Sequence, residues 1–234
     1  MSDSLPVQQP DTLETQVACD RWFDLYVSGP KITRWKDLPI QVGDLAPSIT
    51  LVDGRTSDLK ALEEYWQEQT TLILFWRHFG CSCGRDRAKR LIEEMPRFRE
   101  LNVKVVIIAQ GEPDRARVYI KANEIPDDVE VLLDKDEIAY RKYGILDCGA
   151  VEVLFDAPDE FLRREEAAAR SFVEARKAVG IPPVDNPWLL PAEFVVKPGG
   201  ELVFIYRHQH CENYLDPRVL VAAIRTANGE FERY

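Results

Sequence analysis

The chain has 234 residues, of which 45% are hydrophobic and 30% are charged. This composition supplies enough apolar side chain for a hydrophobic core, which excludes disordered and collagen-like proteins, and the length predicts one domain with extensions. Forty acidic residues against 30 basic ones give a formal net charge of −10. That charge argues against nucleic acid and anionic membrane surfaces as partners.

Cysteine content and the start of the chain indicate a compartment. The five cysteines are too few for a disulfide scaffold and odd in number. Residues 1–10 have neither the basic start nor the apolar run of a signal peptide, and no later apolar stretch is long enough to span a bilayer. The sequence therefore predicts a cytoplasmic protein in a reducing environment.

Apolar periodicity predicts an extension followed by an alternating α/β region. Residues 1–42 form the tail and helical extension, and residues 43–234 form the domain. In chain order, the predicted helices cover 11–27, 59–66, 88–98, a segment from 113, and 134–143, and the predicted strands cover 49–52, 71–76, 103–109 and 129–133. Pro96 is predicted to kink or break the helix over 88–98. Asp134 and Glu137 are predicted to cap the helix over 134–143.

The second half of the chain predicts an insertion and a closing hairpin. A charged helical stretch begins an insertion of about 157–190, and two strands follow over 193–196 and 202–206. A final helix begins at Asp216-Pro217 and carries the apolar stripe Val219, Leu220, Ala223 and Ile224. Parallel βαβ units with an antiparallel edge indicate a mixed sheet flanked by helices.

The segment that carries chemistry is FWRHFGCSCGRDR, at residues 75–87, where a buried strand passes into a helix. A thiol at a helix N-terminus is exposed to the positive end of the helix dipole, which favours the thiolate. Arg77, His78 and two further arginines add cationic groups around Cys81 and Cys83. The pattern predicts a nucleophilic or redox-active Cys81; the alternative is that both cysteines are small buried residues.

This segment resembles the active-site region of the thioredoxin-like superfamily, most closely its alkyl hydroperoxide reductase/thiol-specific antioxidant (peroxiredoxin-like) branch, with its Phe-Arg-x-x-x-Cys-x-x-Cys type of motif. Residues 43–54, 133–144 and 190–208 are similar to other segments of that family. The resemblance implies a thioredoxin-like fold and an active-site loop that includes Gly80, Gly84 and Pro191. It also implies that Pro191 is a cis-proline facing the reactive thiol.

The chain departs from the family pattern at the second cysteine. Cys81 takes the first position of the motif, Gly84 takes the second, and Cys83 lies one residue early. The second position resembles the one that carries the peroxide-reactive cysteine in peroxiredoxins, so Cys81 or Cys83 has to take over that role here. A disulfide within Cys-Ser-Cys closes a small ring, and we expect it to be strained and oxidising.

A further departure concerns the activating arginine, whose position in the family aligns with Pro191. Arg77 and Arg207 are the candidates to replace it. The resemblance implies a peroxide or a protein disulfide as the substrate and a thiol such as a thioredoxin-like protein or glutathione as the reductant. It requires no organic cofactor and is compatible with a homodimer.

Two other thiols are candidates for resolving an oxidised Cys81. Cys148 follows a predicted strand-helix unit, and Cys211 follows the last strand. Either thiol could approach Cys81, whereas the alternative for both is an inert side chain. The first hypothesis is thus a thiol oxidoreductase in which Cys81 attacks, Cys83 is its partner, and Arg77 and His78 lower the pKa of the thiol.

Two alternatives remain open at this stage. The altered motif is compatible with a catalytically degenerate thioredoxin-fold module that binds a protein partner. A soft-metal site could instead be formed by Cys81, Cys83, His208, His210 and Cys211. The spacings that are typical of closed zinc sites are missing, so the sequence predicts no metal.

Overall fold

The computed structural model describes residues 35–79, 83–148, 185–211 and 213–230, with Cys83 described through its backbone. It also describes single helical positions at 17, 20, 23, 24, 28, 170, 173, 174 and 178. The guanidinium of Arg170 lies 4.5 Å from the ring centre of Phe23, so the N-terminal extension contacts the insertion. The predicted tail over 1–10 and most of the insertion lie outside the described residues. Within the described part, no helix is long and apolar enough to cross a membrane.

The elements follow the predicted alternation of strands and helices. They are β1 (Thr50–Asp53), β2 (Leu59–Ala61), a 3-10 helix (Leu62–Trp66), β3 (Thr71–His78), α1 (Cys83–Glu100), β4 (Lys104–Gln110), α2 (Pro113–Ala122), β5 (Val129–Leu133), α3 (Ile138–Lys142), β6 (Ala192–Val196), β7 (Leu202–Arg207) and α4 (Pro217–Ala227).

The strands form one seven-stranded sheet in the order β2-β1-β5-β4-β3-β6-β7. β3, β4 and β5 are parallel, whereas β1, β2, β6 and β7 pair in antiparallel fashion. This arrangement confirms the predicted mixed sheet. β3 lies inside the sheet, so the carboxyl end of β3 opens at the parallel edge where α/β sheets place their reactive groups.

The continuous apolar run of β3 has a direct structural cause. Its odd and even positions face two separate cores, one on each side of the sheet. Leu74 and Trp76 pack on the side of α1 and α4, while Ile73 and Phe75 pack on the opposite side with α3. A strand that is buried on both faces therefore has a nearly continuous apolar run, here from Leu72 to Trp76.

Two predictions near these elements, a helix over 59–66 and a helix break at Pro96, are wrong. Residues 59–66 form the edge strand β2 and a 3-10 helix, because Leu59 pairs with Val52 of β1 in a contact that local periodicity cannot show. Pro96 neither breaks α1 nor ends it. Pro96 faces solvent while Met95 and Phe98 remain buried, and that packing offsets the backbone hydrogen bond that proline removes.

The two predicted helix caps have different outcomes. Asp216 caps α4 by accepting a hydrogen bond from the backbone N–H of Arg218 at 2.9 Å, although Val219 of the predicted stripe is exposed. Asp134 accepts hydrogen bonds from the three N–H groups of residues 138–140 and so binds the start of α3. Glu137 has a left-handed backbone and caps nothing with its side chain, so the reciprocal capping box is not formed.

Candidate active site

The cysteine motif lies between the carboxyl end of β3 and the amino end of α1. β3 ends at His78, and α1 begins at Cys83. This confirms the predicted passage from a buried strand into a helix. Gly80 and Cys81 lie outside the described residues. The positions around them define the surroundings of the motif, because Phe79 and the first turn of α1 are described.

Arg77 is buried and holds the loop that precedes β6. Its Nε donates to the carbonyl of Leu189 at 3.1 Å, and its guanidinium also donates to the carbonyl of Pro187. The side chain of Gln110 donates to the backbone carbonyl of Arg77 at 3.1 Å. Arg77 therefore links the end of β3 to residues 187–189, and the link is rigid because the arginine is only 7% exposed.

His78 does not carry the positive charge that the sequence analysis assigned to it. Burial, together with the neighbouring cations Arg77 and Arg115 and against the opposing effect of Asp185, lowers the pKa of His78 to about 3. The imidazole is therefore neutral at neutral pH. The cations that can favour a Cys81 thiolate are then arginines, together with the amino end of α1.

A buried ion pair lies beside this turn. The carboxylate of Asp185 accepts two hydrogen bonds from the guanidinium of Arg115 on α2, one of them at 2.8 Å, and both side chains are buried. The Nδ1 atom of His78 is 3.9 Å from the same carboxylate. Sequence reasoning missed Asp185, because a single aspartate in a proline-rich segment carries no signal of its partner.

The surroundings of Gly84, which the sequence aligns with the second cysteine of the motif, leave little room for a side chain. The hydroxyl of Tyr119 donates to the carbonyl of Gly84 at 2.6 Å. A Cβ atom added to Gly84 would lie 2.9 Å from that hydroxyl oxygen, which is closer than ordinary van der Waals contact allows. Tyr119 is held by ring contacts with Trp76 and Phe79, so it cannot easily move away. The sequence predicted Tyr119 only as a core residue.

Gly84→Ala is expected to lower the free energy of unfolding by up to about 2 kcal/mol. Overpacking costs about 1–3 kcal/mol, and the helix preference of alanine over glycine offsets roughly 1 kcal/mol of that cost. In a Tyr119→Phe background the obstructing oxygen is absent, and the same substitution should be neutral or stabilising. Urea unfolding of the four proteins measures this coupling, and an equal effect of Gly84→Ala in both backgrounds would contradict the steric explanation.

Arg87, one turn into α1, belongs to a buried polar cluster with β6 and the end of the hairpin. Its guanidinium lies 3.6 Å from the carboxylate of Glu193 and 3.3 Å from Nδ1 of His208. The Nε2 atom of His208 is 2.7 Å from that carboxylate. Burial lowers the pKa of His208, although Glu193 acts in the opposite direction. The cluster anchors the start of α1 to the sheet.

Of the five candidate metal ligands, the structure describes the side chains of His208, His210 and Cys211. β7 ends at Arg207, so His208 and His210 follow the strand. His208 is engaged by Glu193, as described above. In the described part of the chain, no group of three or more His, Cys, Asp or Glu side chains is arranged to hold a metal ion.

Cys148 and Cys211 meet at the same small apolar cluster, formed by Trp188 and Leu190. The Cys148 thiol donates to the carbonyl of Trp188 at 2.6 Å. The carbonyl of Cys211 accepts a hydrogen bond from Arg87 at 3.0 Å. Both cysteines are half-buried. Both predicted resolving thiols therefore lie near residues 187–189, and Cys211 also lies near α1.

One expectation from the family resemblance is wrong. No peptide bond among the described residues is cis, so Pro191 is preceded by a trans bond, the isomer that X-Pro bonds ordinarily favour. The carbonyl of Pro191 accepts a hydrogen bond from the backbone N–H of His208. The guanidinium of Arg207 donates to the carbonyls of Tyr143 and Ile40, just as that of Arg77 donates to the carbonyls of Leu189 and Pro187. Both arginines therefore stay candidates for the activating role.

A comparison with family models decides the family. The model described as the AhpC/TSA family matches residues 42–205, which is most of the chain. The chain belongs to the AhpC/TSA family. A curated relative, "Thioredoxin-like protein AAED1, chloroplastic" from Arabidopsis thaliana, is 26% identical over 97 residues. That match covers 42% of this chain and 38% of the relative, so the chain spans well under half of the relative's length.

Solved structures show that this AhpC/TSA member has the fold of peroxiredoxin-like proteins. The peroxiredoxin-like protein from Aquifex aeolicus superposes with a TM-score of 0.56 at 16% identity, over 82% of this chain and 90% of that one. Peroxidoxin BcpB from Mycobacterium tuberculosis superposes with a TM-score of 0.55 at 12% identity, over 80% and 97% of the two chains. At these identities the likeness concerns the fold.

Proposed function

We propose that the protein is a thiol oxidoreductase that reduces a peroxide or a protein disulfide through Cys81, with Cys83 as its partner. The observation that supports this most directly is the placement of the motif. Cys83 is the first residue of an 18-residue helix at the carboxyl end of a buried parallel strand. Backbone N–H groups and the helix dipole at such a position stabilise a thiolate.

The proposed reaction with a peroxide proceeds in two steps. The Cys81 thiolate attacks one peroxide oxygen, the O–O bond breaks, and the products are an alcohol and a sulfenic acid on Cys81. The Cys83 thiol then displaces the hydroxyl group as water, which forms the Cys81–Cys83 disulfide. A thioredoxin-like protein or glutathione supplies the two electrons and two protons that restore both thiols. With a disulfide substrate, a mixed disulfide replaces the sulfenic acid.

Arginines and the helix terminus, rather than His78, supply the favourable electrostatics in this proposal. Arg77 is held rigidly beside the end of β3. The expected compartment is the cytoplasm, because thiols that cycle between two states need a reductant pool. A homodimer is compatible with the proposal, which requires no organic cofactor and no metal.

Site-resolved alkylation against pH tests the proposal. We expect the Cys81 peptide to react with iodoacetamide with an apparent pKa clearly below the ordinary thiol value of about 8.5. Because His78 is neutral above about pH 3, His78→Gln should leave that apparent pKa unchanged. Mass spectrometry of the labelled peptides separates the five cysteines. Slow alkylation of Cys81 at every pH would contradict the proposal and favour the partner-binding module.

A further inference from the structure

Two thiols outside the motif share one environment although they are distant in the sequence. Cys148 follows α3, and Cys211 follows β7. Both pack against Trp188 and Leu190, and both are half-buried, so solvent and a reductant can reach them. An isolated structural cysteine is usually fully buried and inert. Here two partly exposed thiols instead pack against one pair of apolar side chains.

The segments around this cluster form hydrogen bonds with residues of β3 and α1, the two elements on either side of the Cys81–Cys83 motif. On the strand side, Arg77 donates to the carbonyl of Leu189, between the two apolar residues of the cluster. On the helix side, Arg87 donates to the carbonyl of Cys211 at 3.0 Å. Arg87 is four residues after Cys83, which is about one turn of α1. The loop that carries Cys211 therefore lies against the first turns of the helix that Cys83 begins.

The two thiols have different surroundings, which suggests an order of reaction. The Cys148 thiol donates a hydrogen bond to the carbonyl of Trp188 at 2.6 Å. The Arg87 guanidinium donates to the carbonyl of Cys211 at 3.0 Å, so a buried cation lies beside Cys211 and attracts the thiolate of that residue. A thiolate is the form that attacks a disulfide. Cys211 is thus the attacking member of the pair.

We propose that Cys148 and Cys211 form a second redox-active dithiol, which reduces the oxidised Cys81–Cys83 pair and becomes a Cys148–Cys211 disulfide. This inference rests on the proposed function. The Cys211 thiolate attacks the sulfur of Cys83, the Cys81–Cys83 bond breaks, and Cys81 leaves as a thiolate. Cys148, after releasing its proton, attacks the sulfur of Cys211 and displaces Cys83.

The exchange balances within the chain. One disulfide forms as one breaks, and two electrons pass from the second pair to the first. The two protons released by Cys148 and Cys211 balance those taken up by Cys81 and Cys83. The external thiol then reduces the Cys148–Cys211 bond, so Cys81 and Cys83 return to their reduced form without direct contact with that reductant.

Disulfide mapping of the full chain tests this inference. The fully reduced protein is treated with one molar equivalent of hydrogen peroxide, quenched by alkylation at timed intervals, digested without reduction and analysed by mass spectrometry. In the wild type we expect a Cys148–Cys211 link. In Cys211→Ser, the Cys81–Cys83 link should accumulate at least tenfold above its level in the wild type. In Cys81→Ser, the Cys148–Cys211 link should form at least ten times more slowly.

The outcomes separate this inference from the proposed function. A wild type in which Cys81 is oxidised while Cys148 and Cys211 stay fully alkylated would overturn the second dithiol and leave the proposed function intact. A Cys148–Cys211 link that forms as fast in Cys81→Ser as in the wild type would overturn the relay, because the pair would then react by itself. Absence of any oxidation at Cys81 would overturn both. Cys19→Ser, which removes a thiol outside the family-matched region, is the control variant.

Discussion

Replacing Cys81 with serine is expected to lower the rate of peroxide or disulfide reduction at least about a hundredfold. A serine hydroxyl does not ionise near neutral pH, so the attacking anion is lost although the side chain keeps nearly the same size. The measurement is the initial rate of hydrogen peroxide consumption with dithiothreitol as the reductant. Cys19→Ser is the matched control, since position 19 lies outside residues 42–205 of the family match, and it should keep the wild-type rate.

The corresponding serine variant of Cys83 distinguishes the two thiols. In this variant Cys81 is retained and should still react with one equivalent of peroxide. The resulting sulfenic acid should then accumulate, and a dimedone-type reagent traps it. Wild-type rates in the Cys81→Ser protein would exclude Cys81 as the nucleophile. If the Cys83→Ser protein fails to consume that first equivalent of peroxide, Cys83 is instead the attacking thiol.

Asp185→Ala is expected to lower the free energy of unfolding by about 3–5 kcal/mol, the range typical for breaking one side of a buried ion pair. The carboxylate of Asp185 accepts two hydrogen bonds from Arg115, and both side chains are buried. Removal of the carboxylate leaves the guanidinium buried without that compensating charge. The measurement is equilibrium unfolding in urea, followed by far-ultraviolet circular dichroism.

An exposed ion pair on the same helix provides the control for that prediction. Asp114 and Arg117 form an ion pair in α2, with side chains 87% and 44% exposed. Asp114→Ala should cost less than about 1 kcal/mol, because solvent screens surface pairs. Equal losses for Asp185→Ala and Asp114→Ala would show that burial of the Arg115 pair does not determine its contribution.

Local patterns in the sequence predicted much of the fold. Every strand of the domain except β2 follows from an apolar run, because residues buried on a sheet must be apolar wherever they face a core. The family and the position of the motif between β3 and α1 also follow from the sequence. The edge strand β2 does not, because its three residues are ordered by pairing with β1 rather than by their own periodicity.

The sequence by itself therefore determined the fold class, the family and the strand-to-helix position of Cys81 and Cys83. Only the tertiary structure decided the surroundings of that motif. Asp185 meets Arg115, the Tyr119 hydroxyl takes the space beside Gly84, and the loop of Cys211 reaches α1 through Arg87. The physical reason is the separation in sequence between the residues in contact. Local periodicity shows which side of a helix or strand is buried. These contacts instead join segments that become neighbours only when the sheet and its helices pack together.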